Sequence, residues 1–431
     1  MPVTDSSPLA ADTGPSTGEL PVFRPGSARS ALSHPHFRRI FIASFGSNIG
    51  SWIQNVVLPI YIYERTGKAS LVALLIFAQM GPLLLLAIPA GVIADSVDRR
   101  KWLAAMQVVM LVFSVVLAAL ARVDAPIWAL FVAQLGVGIG GALNMPAWSA
   151  MLPSLVPRAD LPGAMSLNST LINGSRVVGP ILVALFAPLG ADAWHFFAFN
   201  AVTYLLVVWA LTRIKVPAHQ LDKSRGLQRF TFAFRVARDR PVVRRLILSL
   251  ALYSLISLPY IGLFPAITEL NFGIEGSSAV YKWLYATWAF GAALGGLALG
   301  TLFVGRDPRV MIRWGFAANA VAMVGFAASR SVVPAFITGF ALGASYFFTT
   351  TAMSTVMQGR LQPHERGRTM ALWFMSFGGT VPLGNMLFGP LVDRYGSRWL
   401  LFVGAAWALV MAWWCNTRAI DESAEGVHQT L

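Results

Sequence analysis

An all-α membrane protein built of two six-helix bundles is the fold class this sequence predicts, and three observations carry it. Only 12% of the 431 residues are Asp, Glu, Lys or Arg, while 56% are hydrophobic; a soluble domain has roughly 25% charged residues. The apolar residues fall in runs of about 20, the length at which a helix crosses the hydrocarbon of a bilayer. Features of the first half return in the second at offsets of 202 to 209 residues. Helices and closed barrels alone satisfy their backbone in lipid, and runs of this length are helical. The net charge of +14 falls between the apolar runs, where membrane topology and anionic lipid account for it without nucleic acid.

Taken in order, the first ~20 residues are rich in Ser, Pro, Thr and Asp and lack an apolar core. They read as a disordered tail rather than a signal peptide, and the tail is expected to run over 1–37. Membrane helices are expected at 39–63, 70–94, 102–121, 126–151, 163–189 and 193–213, forming a first bundle over 38–213. The stretch 214–243 is polar and basic throughout, with an amphipathic surface helix expected around Phe230 to Arg240. A second bundle over 244–416 follows, with helices at 244–268, 277–304, 309–329, 332–357, 366–392 and 396–416, and a C-terminal tail at 417–431. The single Cys415 can form no intrachain disulfide.

The positions of Lys and Arg orient the chain. With both termini cytoplasmic, 25 of the 33 lie in cytoplasmic segments, 7 lie in outer loops, and Arg176 lies within a helix. That asymmetry predicts cytoplasmic termini, and an odd number of helices would break the alternation. The repeat is visible locally. Gly91-Val-Ile-Ala-Asp95-Ser-Val-Asp98-Arg-Arg100 keeps its Gly, second Asp and last Arg in Gly300 to Arg309. Asp160 to Leu167 echoes Glu365 to Leu372, and Leu185-Phe-Ala-Pro-Leu189 echoes Leu387-Phe-Gly-Pro-Leu391. Repeats of this kind build many secondary transporters, with cargo bound near the midplane between the halves.

The stretch Gly91 to Lys101, Gly-x3-Asp-x3-Arg-Arg-Lys, closes one apolar run and opens the next. It resembles the loop between the second and third helices of the major facilitator superfamily of transporters. Phe37-Arg-Arg39 with Ser47-Asn-Ile-Gly-Ser-Trp-Ile-Gln54, Gln79-Met-Gly-Pro82, Arg176-Val-Val-Gly-Pro180 and Pro259 to Pro265 extend the resemblance. They are similar to the drug and siderophore exporter branch, the transmembrane secretion effectors. The resemblance implies the twelve-helix major facilitator fold, transport by alternating access and coupling to protons. The sequence departs from the loop pattern at Ser96, where a basic residue is usual, and at Asp98, where Gly is usual. From this loop a gate is expected. Gly91 would let helix ends approach closely, and Asp95 would face the positive N-terminal end of the eleventh helix. Asp98, Arg99, Arg100 and Lys101 would complete a charged latch; the alternative is a loop that only sets topology.

Arg176 falls near the middle of an apolar run, where a cation needs a cavity or a partner. Ser166, Ser169, Asn173 and Arg176 recur at spacings of three, four and three, so they share a helix face. They form either a polar wall of a transport cavity, with Arg176 meeting an anionic or polar cargo group, or a structural Arg bonded to neighbouring helices. Asn48, Ser51 and Asn55 share a face of the first helix, with Gln54 beside it; these either line the cavity or glue helices together. Tyr253 and Tyr260 in the seventh helix, and Tyr346 and Thr349 in the tenth, are further cavity candidates. The first bundle carries no mid-helix Asp or Glu, so proton coupling is expected at Glu269 or Asp393, which lie at outer helix ends.

The expected function is secondary active transport, as a proton-driven exporter of a small amphipathic organic molecule, drug-like or siderophore-like. The alternatives are a facilitator or importer of a small solute, and a polytopic membrane enzyme. Against the enzyme, the chain has no Gly-x-Ser-x-Gly elbow, no paired-His metal motif and no Walker loop. No cofactor, metal or nucleic acid is expected. The expected partners are the cargo, the bilayer and protons, and the expected state is a monomer in the cell membrane, in bacteria the inner one.

Overall fold

The structure is a computed structural model that describes residues 24, 26–214, 228–303, 305–361 and 363–417. The first half comprises α1 (Ala28–Ser33), α2 (Pro35–Thr66), α3 (Ala69–Ser96), α4 (Arg99–Arg122), α5 (Ile127–Met151), α6 (Leu161–Phe186) and α7 (Ala193–Arg213). The helix α8 (Gln228–Asp239) follows, matching the amphipathic helix expected there. The second half comprises α9 (Pro241–Ile256), α10 (Phe264–Phe272), α11 (Ala279–Thr301), α12 (Pro308–Ala328), α13 (Val332–Gly359), α14 (Pro363–Gly378), α15 (Thr380–Tyr395) and α16 (Arg398–Trp414). Within the first half α4 packs on α5 and α7, α3 on α5, and α2 on α6 and α7. Within the second α13 packs on α11 and α12, and α9 and α12 both meet α16.

Eight of the described helices or helix runs are long and apolar enough to cross a membrane. The other expected segments have visible reasons for falling short. α2 carries Ser44, Ser47, Asn48, Ser51, Gln54 and Asn55, polar groups that its neighbours partly cover. The seventh segment breaks between α9 and α10, where Pro259 opens a 3-10 turn and Pro265 starts the next helix. Proline lacks the N–H that would continue the ladder. The eleventh breaks at Gly379, between α14 and α15. The apolar outer surface agrees with a lipid environment: Leu85, Trp128, Val321 and Trp413 are 71–75% exposed, far from soluble behaviour as a set.

The repeat shows in the caps. Asp98 accepts from the N–H groups of Arg100 and Lys101 at the start of α4, and Asp307 accepts from Arg309 at the start of α12. Each carboxylate satisfies orphan donors and complements the helix dipole. This basic end of the bundles is also where arginines close helix C-termini. Arg100 donates to the Ile214 carbonyl at 3.0 Å, Arg245 to Trp414 at 3.0 Å, and Arg313 to Ala412 at 3.1 Å.

The expected tail over 1–37 needs correction where it is described. Residues 1–23 lie outside the described residues, but α1 and the first turn of α2 are helical. Asp160 fixes them. Its carboxylate accepts from the Gly26 N–H at 2.9 Å and the Ser30 hydroxyl at 2.6 Å, and meets His34 Nε2 at 2.8 Å. Gly163 lets this strap lie flat, because a Cβ there would collide with the Ser27 carbonyl. The parts of the linker and C-terminal tail at 215–227 and 418–431 lie outside the described residues.

Candidate functional site

The two halves meet through α3 with α14 and α15, α6 with α11, and α2 with α10. On the first-half side of that seam, a small residue sets how α6 packs on α2. At Gly179 of α6, a Cβ would press on Trp52 and the Ile53 backbone of α2. The close approach turns α6 so that Arg176 lies over Trp52, its Cζ 4.7 Å from the ring centroid. From the other half Phe347 of α13 also reaches it, with the Arg176 Cζ 4.0 Å from its ring centroid. The guanidinium thus meets one ring from each half. Its Nε and Nη1 atoms are buried and have no hydrogen-bond partner.

Around this cation the second half supplies aromatic rings. Tyr346 stacks on Trp288 at 6.2 Å and on Phe377 at 6.3 Å, and meets Phe347 edge-on at 4.9 Å. Tyr260 stands edge-on to Trp288 at 6.5 Å. The hydroxyls of Tyr285 and Tyr346 are the electrostatic neighbours of Arg176. On the same face of α6, Asn173 and Ser169 bond to carbonyls four residues back, leaving Arg176 to itself. Ser169 is exposed and Asn173 half-buried, so a polar lane runs from the basic end up to the guanidinium.

Several expected cavity residues are occupied inside a bundle. Gln54 is 2% exposed. It donates to Gln134 Oε1 at 2.8 Å and accepts from Asn200 at 2.6 Å, which joins α2, α5 and α7. Ser51 pairs with the Tyr204 hydroxyl at 3.2 Å. Asn55 accepts from Gln79, and the Asn48 amide donates to its own helix at Ser44. Asn48, Ser51 and Asn55 are half-buried. Tyr253 donates to Asn319 Oδ1 at 2.9 Å, and Asn319 donates to Ser345 at 3.1 Å. Thr349 is fully buried and bonded to the Ser345 carbonyl. Gln54, Tyr253 and Thr349 therefore act as glue within their own halves, because each finds its partner on a neighbouring turn or helix. Of the expected set, Arg176 and Tyr346 come together at the seam, with Tyr260 behind Trp288.

The seam also uses residues that sequence reasoning missed: Trp52, Phe347, Trp288 and Tyr285. Trp52 sits between Asn48 and Asn55, so the polar face of the first helix could have indicated it. Nothing in the sequence distinguishes Phe347 from the many other Phe residues.

The two ends of the seam differ. At the end opposite the basic one, Asp393 of α15 accepts from the N–H groups of Ala69 at 2.6 Å and Ser70 at 3.0 Å. These are the first amides of α3, whose own N-cap residue, Lys68, provides no side-chain cap. A carboxylate from one half thus caps a helix of the other. The backbones are close there: a Cβ at Gly389 would touch Ala73 and Ser70 at 3.0 Å. Glu269 and Asp393 both act electrostatically on Tyr63, so the two expected proton carriers share this corner. A cavity of about 570 Å³ opens beside it, with Glu64, Arg122, Asp124, Asp192 and Lys282 in its wall.

At the basic end the expected gate is partly corrected. α3 runs to Ser96 and α4 starts at Arg99, so the loop is only two residues. A Cβ on Gly91 would meet nothing within 4 Å; close helix approach is not what Gly91 provides. Arg99 donates to the Ala150 carbonyl at 3.4 Å and Arg100 to Ile214, both within the first half. Asp98 and the Lys101 N–H belong to the cap of α4. α14 does pack on α3, but the Asp95 side chain and its expected contact lie outside the described residues.

Comparison with known proteins fits this geometry. A family model described as transmembrane secretion effector matches residues 26–426. Macrolide efflux protein A of Streptococcus pyogenes is 26% identical over 393 residues, covering 85% of this chain and 92% of that protein. Enterobactin exporter EntS of Shigella boydii serotype 4 is 24% identical over 392 residues, covering 88% and 92%. Among solved structures, a bacterial homologue of the human lysosomal transporter Spinster superposes with a TM-score of 0.69 at 17% identity, covering 89% of this chain and 97% of that one. The nucleoside transporter NupG superposes with a TM-score of 0.73 at 14% identity, covering 88% and 98%.

Proposed function

This chain belongs to the transmembrane secretion effector family of major facilitator transporters, and from that membership and its geometry we propose that it exports a small amphipathic organic molecule by alternating access. The cargo binds between the halves, near Arg176 and the rings of the second half. The basic end is cytoplasmic, in keeping with the excess of Lys and Arg there. Related proteins are named as a macrolide efflux protein and an enterobactin exporter, and the cargo here is of that general kind, drug-like or siderophore-like.

The observation that carries this reading is the cap made by Asp393. Alternating access needs contacts that exist in one state and are lost in the other. Asp393 and the first amides of α3 form such a contact, since they belong to different halves and lie at the end away from the cytoplasm. With the cap in place, the outer end is shut. Protonation of Asp393 would weaken the same cap, and this gives an inward proton gradient a grip on the gate; Glu269 and Tyr63 share its surroundings and Arg394 follows it in the chain.

Removing a capping side chain costs about 0.5–2 kcal/mol, so Asp393→Ala should shift the balance roughly tenfold toward the outward-open state. The check is labelling of Ala73→Cys, a buried position on the α3–α15 seam, in a background with Cys415→Ser. A membrane-impermeant maleimide added to cells should label this site about tenfold faster when Asp393→Ala is also present. Equal labelling rates would remove Asp393 from the gate.

A further inference from the structure

We infer that the cargo of the central site is an organic anion with a flat aromatic body, and that Arg176 reads its charge. The inference rests on the reading of this chain as a transporter with its cargo between the halves, and sharpens it to a chemical class. Its ground is an unbalanced charge. The Arg176 guanidinium keeps Nε and Nη1 buried with no acceptor. The rings of Trp52 and Phe347 attract the cation, but such contacts offset only a small part of its desolvation. Withdrawing a cation from water costs several kcal/mol even after relaxation. The nearest titratable groups are the phenols of Tyr285 and Tyr346, which carry no charge at ordinary pH. Among the described residues no carboxylate bonds to it. The seam's acids, such as Glu269 and Asp393, sit at helix ends.

A cargo with a positive charge would meet an unneutralised cation here. A carboxylate or ionised phenol would instead accept from this guanidinium, whose Nε and Nη1 have no acceptor of their own. The same site favours a flat molecule. The guanidinium meets the rings of Trp52 and Phe347, and the stack of Trp288, Tyr346 and Phe377 adds aromatic faces in the second half. Because Trp52 belongs to α2 and Phe347 to α13, an anion bound at Arg176 touches both halves at once. Binding can then favour one arrangement of the halves over the other, as a transport cycle requires.

The test uses two dyes with the same xanthene ring system and opposite charge, fluorescein and rhodamine 6G. Binding to the purified full-length protein in detergent is read by fluorescence polarisation. Fluorescein should bind at least tenfold more tightly than rhodamine 6G. Arg176→Gln should weaken fluorescein at least tenfold, without weakening rhodamine 6G, and Arg176→Lys should recover part of the loss. Rhodamine 6G binding as tightly as fluorescein, or no fluorescein binding to the wild-type protein, overturns the inference; this comparison needs no variant, so it holds even if Arg176→Gln does not fold. An unchanged fluorescein affinity in folded Arg176→Gln overturns it as well. Vesicle transport separates the two readings. A protein that binds fluorescein through Arg176 but moves nothing refutes the transporter and keeps the anion site. One that exports rhodamine 6G and not fluorescein keeps the transporter and refutes the anion site.

Discussion

Gln54 and Arg176 show how differently two buried polar residues can be used. Gln54 has both ends of its amide engaged, by Gln134 and Asn200; Arg176 has its Nε and Nη1 without an acceptor. A satisfied buried amide is structural, and its loss leaves a buried partner stranded at about 1–3 kcal/mol. Gln54→Ala should therefore lower thermal stability in detergent by about 1–3 kcal/mol, leaving cargo affinity per folded molecule unchanged. Loss of affinity with stability intact would return Gln54 to the cavity wall. This distinction was not legible in the sequence. Arg176 was marked by its position in an apolar run, whereas Gln54 and Tyr253 looked like cavity residues because their partners, Gln134, Asn200 and Asn319, come from helices tens to more than a hundred residues away. Trp52 and Phe347 were missed because an aromatic residue in an apolar helix carries no sign of what will lie across its face.

At the scale of elements, some ends carry local signals in the sequence, although Asp98 was expected in a latch and the seventh segment as one unbroken helix over 244–268. Asp98 and Asp307 each precede a basic residue and an apolar run, and each caps the helix that follows. The prolines at 259 and 265 bracket the break in the seventh segment. Ends that are completed from a distance were invisible. α3 is capped from 324 residues away by Asp393, and α1 is pinned by Asp160, 130 residues from Ser30. The strap gives a test of its own. Asp160→Ala removes the acceptor for Gly26, Ser30 and His34 together. Limited proteolysis within 24–34 should accelerate strongly, while transport by the intact remainder persists. Unchanged cleavage would show that α1 is held by its apolar contacts alone.

For the whole molecule, composition and the spacing of apolar runs were enough to reach a two-bundle helical membrane protein, because burial in lipid imposes its pattern on every segment. How the halves face one another was not, since the seam joins residues that no local pattern connects. That seam has a cap from Asp393 at one end, a central cation beside rings from both halves, and a basic end where Arg100 bonds within its own half. Such an arrangement suits a molecule that rocks about its centre. Transport by rocking also requires that cargo and driving ion act on one cycle.

The most direct measurement is therefore on the purified protein in liposomes that contain a pH-sensitive dye, with an imposed proton gradient and either enterobactin or a macrolide added. The proton-driven exporter predicts proton movement that begins only when a transported compound is present, together with uphill movement of that compound, both diminished by Asp393→Ala. Cargo that moves only down its own gradient, with no proton movement, would contradict the proton-driven exporter.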